Sequence, residues 1–285
     1  RPPRSTLDRS SAASDVYKRQ MLIDTHVHLD SFSDDEIAAI LDRSREAGVG
    51  FVICAGTTVA SSIRSVALSR MYSSFFSGVG VHPMDITEPL VEVDYKALSD
   101  LAKAEEKVIV MSEIGLDYMD GMPDRAWQFP AFREQINIAR NLNLPIVFHS
   151  REAHKDCFRV LREEKGYEVG GVMHYFQGSL EEAKEVIDMG FYISIARPIF
   201  RLPHLQEVVS KIPMENIVIE TDSAPQPFKK NRDNWTEPRY LRPITEKIAE
   251  LKEMDVMSVE TALFQNTKNL LSSQWDVVEK YVPEF

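Results

Sequence analysis

Eight short apolar runs of strand length alternate along this chain with segments of helical period, and that alternation limits the fold more than any other feature. The runs are Leu22–Thr25, Phe51–Ala55, Phe76–Val81, Val108–Glu113, Pro145–Phe148, Gly171–Tyr175, Phe191–Ile195 and Ile217–Thr221. Each is apolar nearly throughout, the pattern of a parallel strand buried on both faces. Between them lie amphipathic segments: Asp34–Ala47, Val59–Arg70, Asp94–Glu105, Arg125–Leu142, Ala153–Glu164, Leu180–Met189 and Pro203–Lys211. Arg239–Lys252 and Ser258–Leu271 close the chain. Ser33 suits the N-cap of the first segment and Gly48 its C′ position. Eight βα units within about 250 residues predict a single-domain α/β fold, the (β/α)8 TIM barrel. A doubly wound open sheet is the alternative. After residue 21 there is no linker rich in Pro, Gly or Ser, and no internal repeat.

Composition narrows the setting. The 285 residues, 44% of them hydrophobic, suffice for one large core. No apolar stretch reaches the roughly 20 residues of a membrane-spanning helix, so no membrane association is expected. Cys54 and Cys157 lie far apart and in no motif. That excludes a disulfide framework or a CxxC metal site and points to the cytoplasm. Both cysteines read as small buried apolar residues. Residues 1–20 are rich in Ser and Arg, with no apolar core of about 7–15 residues as in a secretory signal. They read as a disordered extension or sequence artefact, with Met21 the natural start and residues 21–285 the barrel domain. That segment carries a net +3, so the overall −11 becomes −14 over residues 21–285. An acidic body opposes wrapping a long duplex but leaves room for a local basic cleft.

The first strand ends in His26-Val27-His28. Residues i and i+2 of a strand share a face, roughly 6.6 Å apart, so two imidazoles stand side by side. Such a pair suits one borderline metal ion, although two satisfied polar histidines at a strand end would give the same string. Barrel active sites lie at the carboxyl ends of the strands. His82 follows strand 3, Glu113 and Asp117 strand 4, His149 and Arg151 strand 5, His174 strand 6, and Glu220 and Asp222 strand 8. Five of the seven histidines thus fall at strand ends, while His154 and His204 fall in or beside helical segments.

Four histidines (His26, His28, His149, His174) and two carboxylates (Glu113, Asp222) exceed the three protein ligands of a typical catalytic zinc, so two metal ions are expected. One carboxylate can bridge both, one oxygen to each. Two ions about 3.5–4 Å apart can share a water and lower its pKa toward roughly 7, ready to attack phosphorus or a carbonyl carbon. Asp222 is the candidate to orient that water and accept its proton. Glu220 is placed to fix a ligand histidine from behind. His82 could contact a phosphate or simply support the site, and Asp117 and Tyr118 read as packing or supporting groups.

The strings DTHVHLD (24–30), GVHP (80–83), SEIGLDY (112–118), FHSRE (148–152), HYFQG (174–178) and ETDSAP (220–225) together resemble the TatD family of metal-dependent deoxyribonucleases. That family belongs to the amidohydrolase superfamily and is built on a TIM barrel. With the later TEPR (236–239) and NT (266–267), the resemblance spans residues 21–272. It implies a binuclear divalent site holding Mg²⁺, Mn²⁺ or Zn²⁺ and phosphodiester hydrolysis, commonly 3′→5′ exonucleolytic cleavage of DNA. By motif, His26 and His28 would bind the first ion, His149 and His174 the second, with Glu113 bridging and Asp222 completing the set. The sequence departs from the usual pattern at Val27, Ser112, Tyr175, Gln177 and the stretch Ser194-Ile-Ala-Arg-Pro. Val27 should face away from the metals, and the later departures reshape the rim.

The rim points to an anionic substrate by its own composition. Residues 228–242 place Lys229, Lys230, Arg232, Arg239 and Arg242 against Asp233 and Glu237, with Phe228, Trp235 and Tyr240 interleaved. Basic groups can bind phosphate while aromatic faces stack on bases, a pattern of single-strand binding. A solvated loop with a packed Trp would read the same way. Expected substrate contacts are therefore His82, Arg151, Lys229, Lys230, Arg232 and Trp235. The expected partner is DNA, as single strands or 3′ ends, with no obligate protein partner. An amidohydrolase, esterase or deacylase acting on a carbonyl with the same binuclear site is the alternative activity.

Overall fold

The computed structural model describes residues 21–282. The expected N-terminal extension, residues 1–20, lies outside them, as do the last residues of the expected barrel domain. Eight parallel strands form one sheet in sequential order: β1 (Leu22–Val27), β2 (Val49–Ala55), β3 (Phe75–Val79), β4 (Val108–Asp117), β5 (Ile146–Arg151), β6 (Gly171–Met173), β7 (Phe191–Ile195) and β8 (Ile217–Ile219). Helices α1 (Asp34–Glu46), α2 (Val59–Met71), α3 (Glu92–Ala104), α4 (Arg125–Leu142), α5 (His154–Glu163), α6 (Leu180–Asp188) and α7 (Pro203–Lys211) connect successive strands. Helix α8 (Leu241–Lys252) follows β8, and α9 (Val256–Leu271) and α10 (Trp275–Tyr281) complete the described chain. The sequential parallel order is that of a TIM barrel and excludes the doubly wound sheet, whose strand order reverses.

Two buried clusters account for the layering. The larger joins strands to the surrounding helices through residues such as Ile37, Leu98, Phe132, Phe158, Leu205 and Ile244. The second takes Ile23, Phe51, Phe76, Ile109, Val147, Val172 and Val218 from seven strands, with Tyr192 of β7 packed against it. Among the described residues, its fully buried helical members are Leu270 and Leu271 of α9 and Trp275 and Val278 of α10. That is the composition of a barrel lumen stoppered by the C-terminal helices. Helix α10 was not expected from the sequence.

The closing seam positions the site. Ser223 pairs with Val27 in a parallel bridge, and its carbonyl accepts from His28 N at 2.8 Å. The amide of Asp222 donates to the His26 carbonyl at 3.0 Å. Closing the barrel therefore sets Asp222 beside the two histidines of β1. Strand β8 ends at Ile219, earlier than its apolar run suggests, because the backbone turns at Asp222, where φ is +54°. Strand β4 instead runs on to Asp117, because β5 pairs with it through Gly115↔His149, Leu116↔Ser150 and Asp117↔Arg151. At Gly115, φ is +152° and a Cβ would lie 1.9 Å from the His149 carbonyl oxygen, so only glycine allows the two strands this close.

Candidate metal centre

Five histidines surround one carboxylate at the carboxyl ends of the strands. Glu113 Oε2 lies 3.3 Å from His26 Nε2 and 3.6 Å from His28 Nε2. Its other oxygen, Oε1, lies 2.8 Å from His174 Nε2, 3.0 Å from His149 Nδ1 and 3.3 Å from His82 Nε2. Each oxygen thus serves a separate group of imidazoles. The two histidines of β1 bring their Nε2 atoms within 3.2 Å of each other. Val27, between them, is buried in the core beside Cys54 of β2. Asp222 Oδ1 stands 3.3 Å from His28 Nε2 and 4.0 Å from His26 Nε2.

The electrostatics follow from this crowding. Burial alone would raise the Glu113 carboxyl, but His174 and His82 beside it and bonds from His149 and His174 hold it well below the usual range. Burial likewise opposes the shift at His28, yet Asp222 and Glu113 raise its imidazole to about 9. Asp222 is held down to about 2 against its burial, chiefly by His28. At His26, burial and the neighbouring His174 ring, stacked at 4.0 Å between centroids, lower the imidazole.

The residues present suit divalent cations. Imidazole nitrogens converge on one another and on carboxylate oxygens, and a cation among them satisfies every facing lone pair. His26, His28 and Glu113 form one such group, and His82, Glu113 and His149 another; His26, His174 and Glu220 form a third.

Buried carboxylates hold two of the rings from behind. Asp117 Oδ2 lies 2.9 Å from His149 Nε2, and Glu220 Oε1 lies 3.1 Å from His174 Nδ1. Glu220 also accepts from Tyr175 N at 2.7 Å and Ser194 Oγ at 2.6 Å. At the base of the seam, Asp24 accepts from the amide and hydroxyl of Thr221 at 2.9 and 2.5 Å.

A cavity of about 810 Å³ opens over the cluster, and His82, Arg151, His154, Tyr175 and Asp222 are among its lining residues. Of the six expected substrate contacts, His82 and Arg151 line it, whereas Lys229, Lys230, Arg232 and Trp235 do not. Lys229 donates to the Asn234 carbonyl within its own loop at 2.9 Å, and Lys230 is exposed. Arg232 pairs with Glu36 at 3.2 Å and Glu237 at 3.0 Å and lies over the Trp235 ring. Trp235 itself is half-buried against Phe32.

Sequence reasoning passed over Glu237. It is 1% exposed and gathers Arg43, Arg232 and Arg239. A lone Glu inside a basic run was the available signal. It also left Ser150 and His154 unlinked, although the Ser150 hydroxyl lies 2.7 Å from His154 Nδ1 at the cavity wall.

The family model described as TatD related DNase matches residues 23–272. The uncharacterized metal-dependent hydrolase YabD of Bacillus subtilis is 35% identical over 88% of this chain and 98% of its own length. The 3′-5′ ssDNA/RNA exonuclease TatD of Shigella flexneri is 31% identical over 83% of this chain and 92% of its own. Among solved structures, the Escherichia coli TatD homolog YJJV superposes with a TM-score of 0.79 at 28% identity, covering 87% of this chain and 97% of that one.

Proposed function

Because the chain belongs to the TatD related DNase family and is a metal-dependent hydrolase, we propose that it cleaves phosphodiester bonds of DNA as a 3′–5′ exonuclease on single-stranded or frayed ends. The observation that carries the reading is Glu113, whose two oxygens face separate histidine groups beneath one open cavity. His26, His28, Asp222 and Glu113 Oε2 would hold one divalent ion; His149, His174 and Glu113 Oε1 would hold a second. Mg²⁺, Mn²⁺ and Zn²⁺ are the candidate ions, and when bound they supply Lewis acidity toward water and the phosphodiester.

The protein's own groups do the rest. Asp222, with 30% of its side chain exposed, orients the attacking water and accepts its proton. Arg151, at the cavity wall, holds the phosphate through its planar guanidinium. His82, 9% exposed at its side chain, lies against Glu113 and donates toward the same phosphate. Lys229 and Lys230, on the loop after Asp222, attract the more distant strand. One observation favours the carbonyl alternative: Arg151 is the single arginine or lysine among the residues lining the cavity.

A time course with 5′-labelled single-stranded DNA in Mg²⁺ and in Mn²⁺ tests the reading, with EDTA and Asp222→Asn as controls and ester and amide substrates run in parallel. The expected result is a ladder of shortening, still labelled products that vanishes in both controls. Intact DNA beside hydrolysed esters or amides would replace the nuclease reading with the carbonyl one.

A further inference from the structure

Asp117 serves two neighbours that the chemistry assigns to different tasks. It is fully buried at the end of β4, with Arg151, the last residue of β5, as its cross-strand partner. Its Oδ2 meets His149 Nε2 at 2.9 Å and Arg151 Nη2 at 2.6 Å. Its Oδ1 accepts from Arg151 Nε and from Met119 N, both at 3.0 Å. Because Nε2 of His149 is engaged, Nδ1 faces Glu113. The Arg151 fork is engaged along one edge, with Nη2 also 3.6 Å from Met122 Sδ, and the side chain, 37% exposed, lines the cavity.

We infer that Asp117 is a positioning residue that fixes His149 and Arg151 as one unit, so that metal affinity and phosphate binding depend on the same carboxylate. A half-exposed arginine otherwise loses rotamer entropy each time it meets an anion; a side chain already held in its fork has little left to lose. A histidine donating from Nε2 to a carboxylate keeps Nδ1 as the acceptor that a cation requires. The inference takes its phosphate from the nuclease reading, but the clamp stands on geometry alone.

Asp117→Asn separates this from simple packing. An amide keeps one acceptor oxygen. With its NH2 in the Oδ2 place it meets both His149 Nε2–H and the Arg151 Nη2 group; turned over, it meets Arg151 Nε–H and Met119 N while its oxygen still accepts from His149. The fork is broken either way, whereas Asp117→Ala takes the acceptor from both neighbours. The measurements are Mn²⁺ affinity by calorimetry, and affinity for inorganic phosphate and for a fluorescent, phosphorothioate-linked single strand by anisotropy. They are made on the wild type, D117N, D117A, R151M and the D117A/R151M double variant, with phosphate binding read at saturating Mn²⁺. Expected are a Mn²⁺ Kd about 10–100-fold weaker in D117A, weaker phosphate binding in both D117N and D117A, an unchanged Mn²⁺ Kd in R151M, and a double variant that binds phosphate no more weakly than R151M. If the phosphate losses from D117A and R151M multiply, or if D117A binds Mn²⁺ as the wild type does, the inference is overturned. Arg151→Lys decides the matter should the Asp117 variants fail to fold. A lysine keeps the charge without the fork, so phosphate affinity should fall as in R151M, and wild-type affinity would overturn the clamp. A wild type that binds inorganic phosphate but not the oligonucleotide would remove the nuclease reading, while the same cycle read with phosphate still decides the clamp.

Discussion

Glu220 Oε1 meets His174 Nδ1 at 3.1 Å, and both side chains are buried. The same oxygen accepts from Tyr175 N, and Oε2 accepts from Ser194 Oγ. Every donor that needs a carboxylate oxygen here lies on one side, and the other side faces a hydroxyl that can donate or accept. Glu220→Gln therefore keeps the network: its carbonyl serves His174 and Tyr175 while its NH2 donates to Ser194. Mn²⁺ affinity in Glu220→Gln should stay within about tenfold of wild type, at the mild end of the usual cost of altering a ligand's support. Glu220→Ala leaves His174 Nδ1 and Tyr175 N buried and unpaired, at about 1–3 kcal/mol for each. Calorimetric Mn²⁺ titration of both variants checks the contrast. Equal losses in the two would mean that charge, not hydrogen bonding, is what Glu220 contributes.

Ions held by the folded site alone must stabilise the fold. Dialysed protein should unfold at a higher temperature in Mn²⁺ or Zn²⁺ than in EDTA, by a margin that grows with ion concentration. At 100 times Kd the gain is about 2.7 kcal/mol for each site. A variant with both His26→Ala and His28→Ala should keep only the part owed to His149 and His174. Differential scanning fluorimetry across an ion series measures this, and an unfolding temperature indifferent to ions would count against the site.

The parts that were legible in the sequence are those governed by periodicity. Apolar runs mark all eight strands, and Arg125–Leu142 and Pro203–Lys211 match their helices to the residue. The polar residues that end those runs, from His26 to Asp222, meet around Glu113 because a barrel gathers its strand ends. What was not legible depends on pairing across the fold. The partners Asp117 and His149 stand 32 residues apart, and Glu237 and Arg43 stand 194 apart. No local pattern records such pairs. The basic run at 228–242 promised free cations, and its acidic partners Glu36 and Glu237 lie where composition alone does not reveal them. Helix α10 is too short, at seven residues, to show a clear helical period.

Glu237 anchors the loop that follows Asp222. It receives the Arg43 fork at 2.8 and 2.9 Å, with Arg232 at 3.0 Å and Arg239 at 3.2 Å. Glu237→Gln leaves three guanidiniums around one neutral amide. The guanidiniums left behind are each about a third exposed, so solvent takes up part of the loss, and the cost is about 1–3 kcal/mol. Thermal unfolding should register that loss, and limited proteolysis should cut within residues 223–240 faster than in wild type. An unfolding temperature equal to wild type would mean that the arginines are satisfied by solvent instead.

The same carboxylate predicts an acid-dependent part of that stability. Burial alone would raise the Glu237 carboxyl, but the Arg43 bond and the charges of Arg43 and Arg239 hold it below its ordinary 4.5. A carboxyl with a lower pKa in the folded than in the unfolded chain binds fewer protons when folded. Its stabilising contribution is therefore complete above about pH 4.5 and is lost as the pH falls through the folded value. The stability gap between wild type and Glu237→Gln should accordingly be constant from pH 7 to about pH 5 and narrow below that. Urea unfolding of the two proteins at stepped pH measures the gap directly. A gap that stays level or widens in acid would show that the arginines do not hold Glu237 in its charged form.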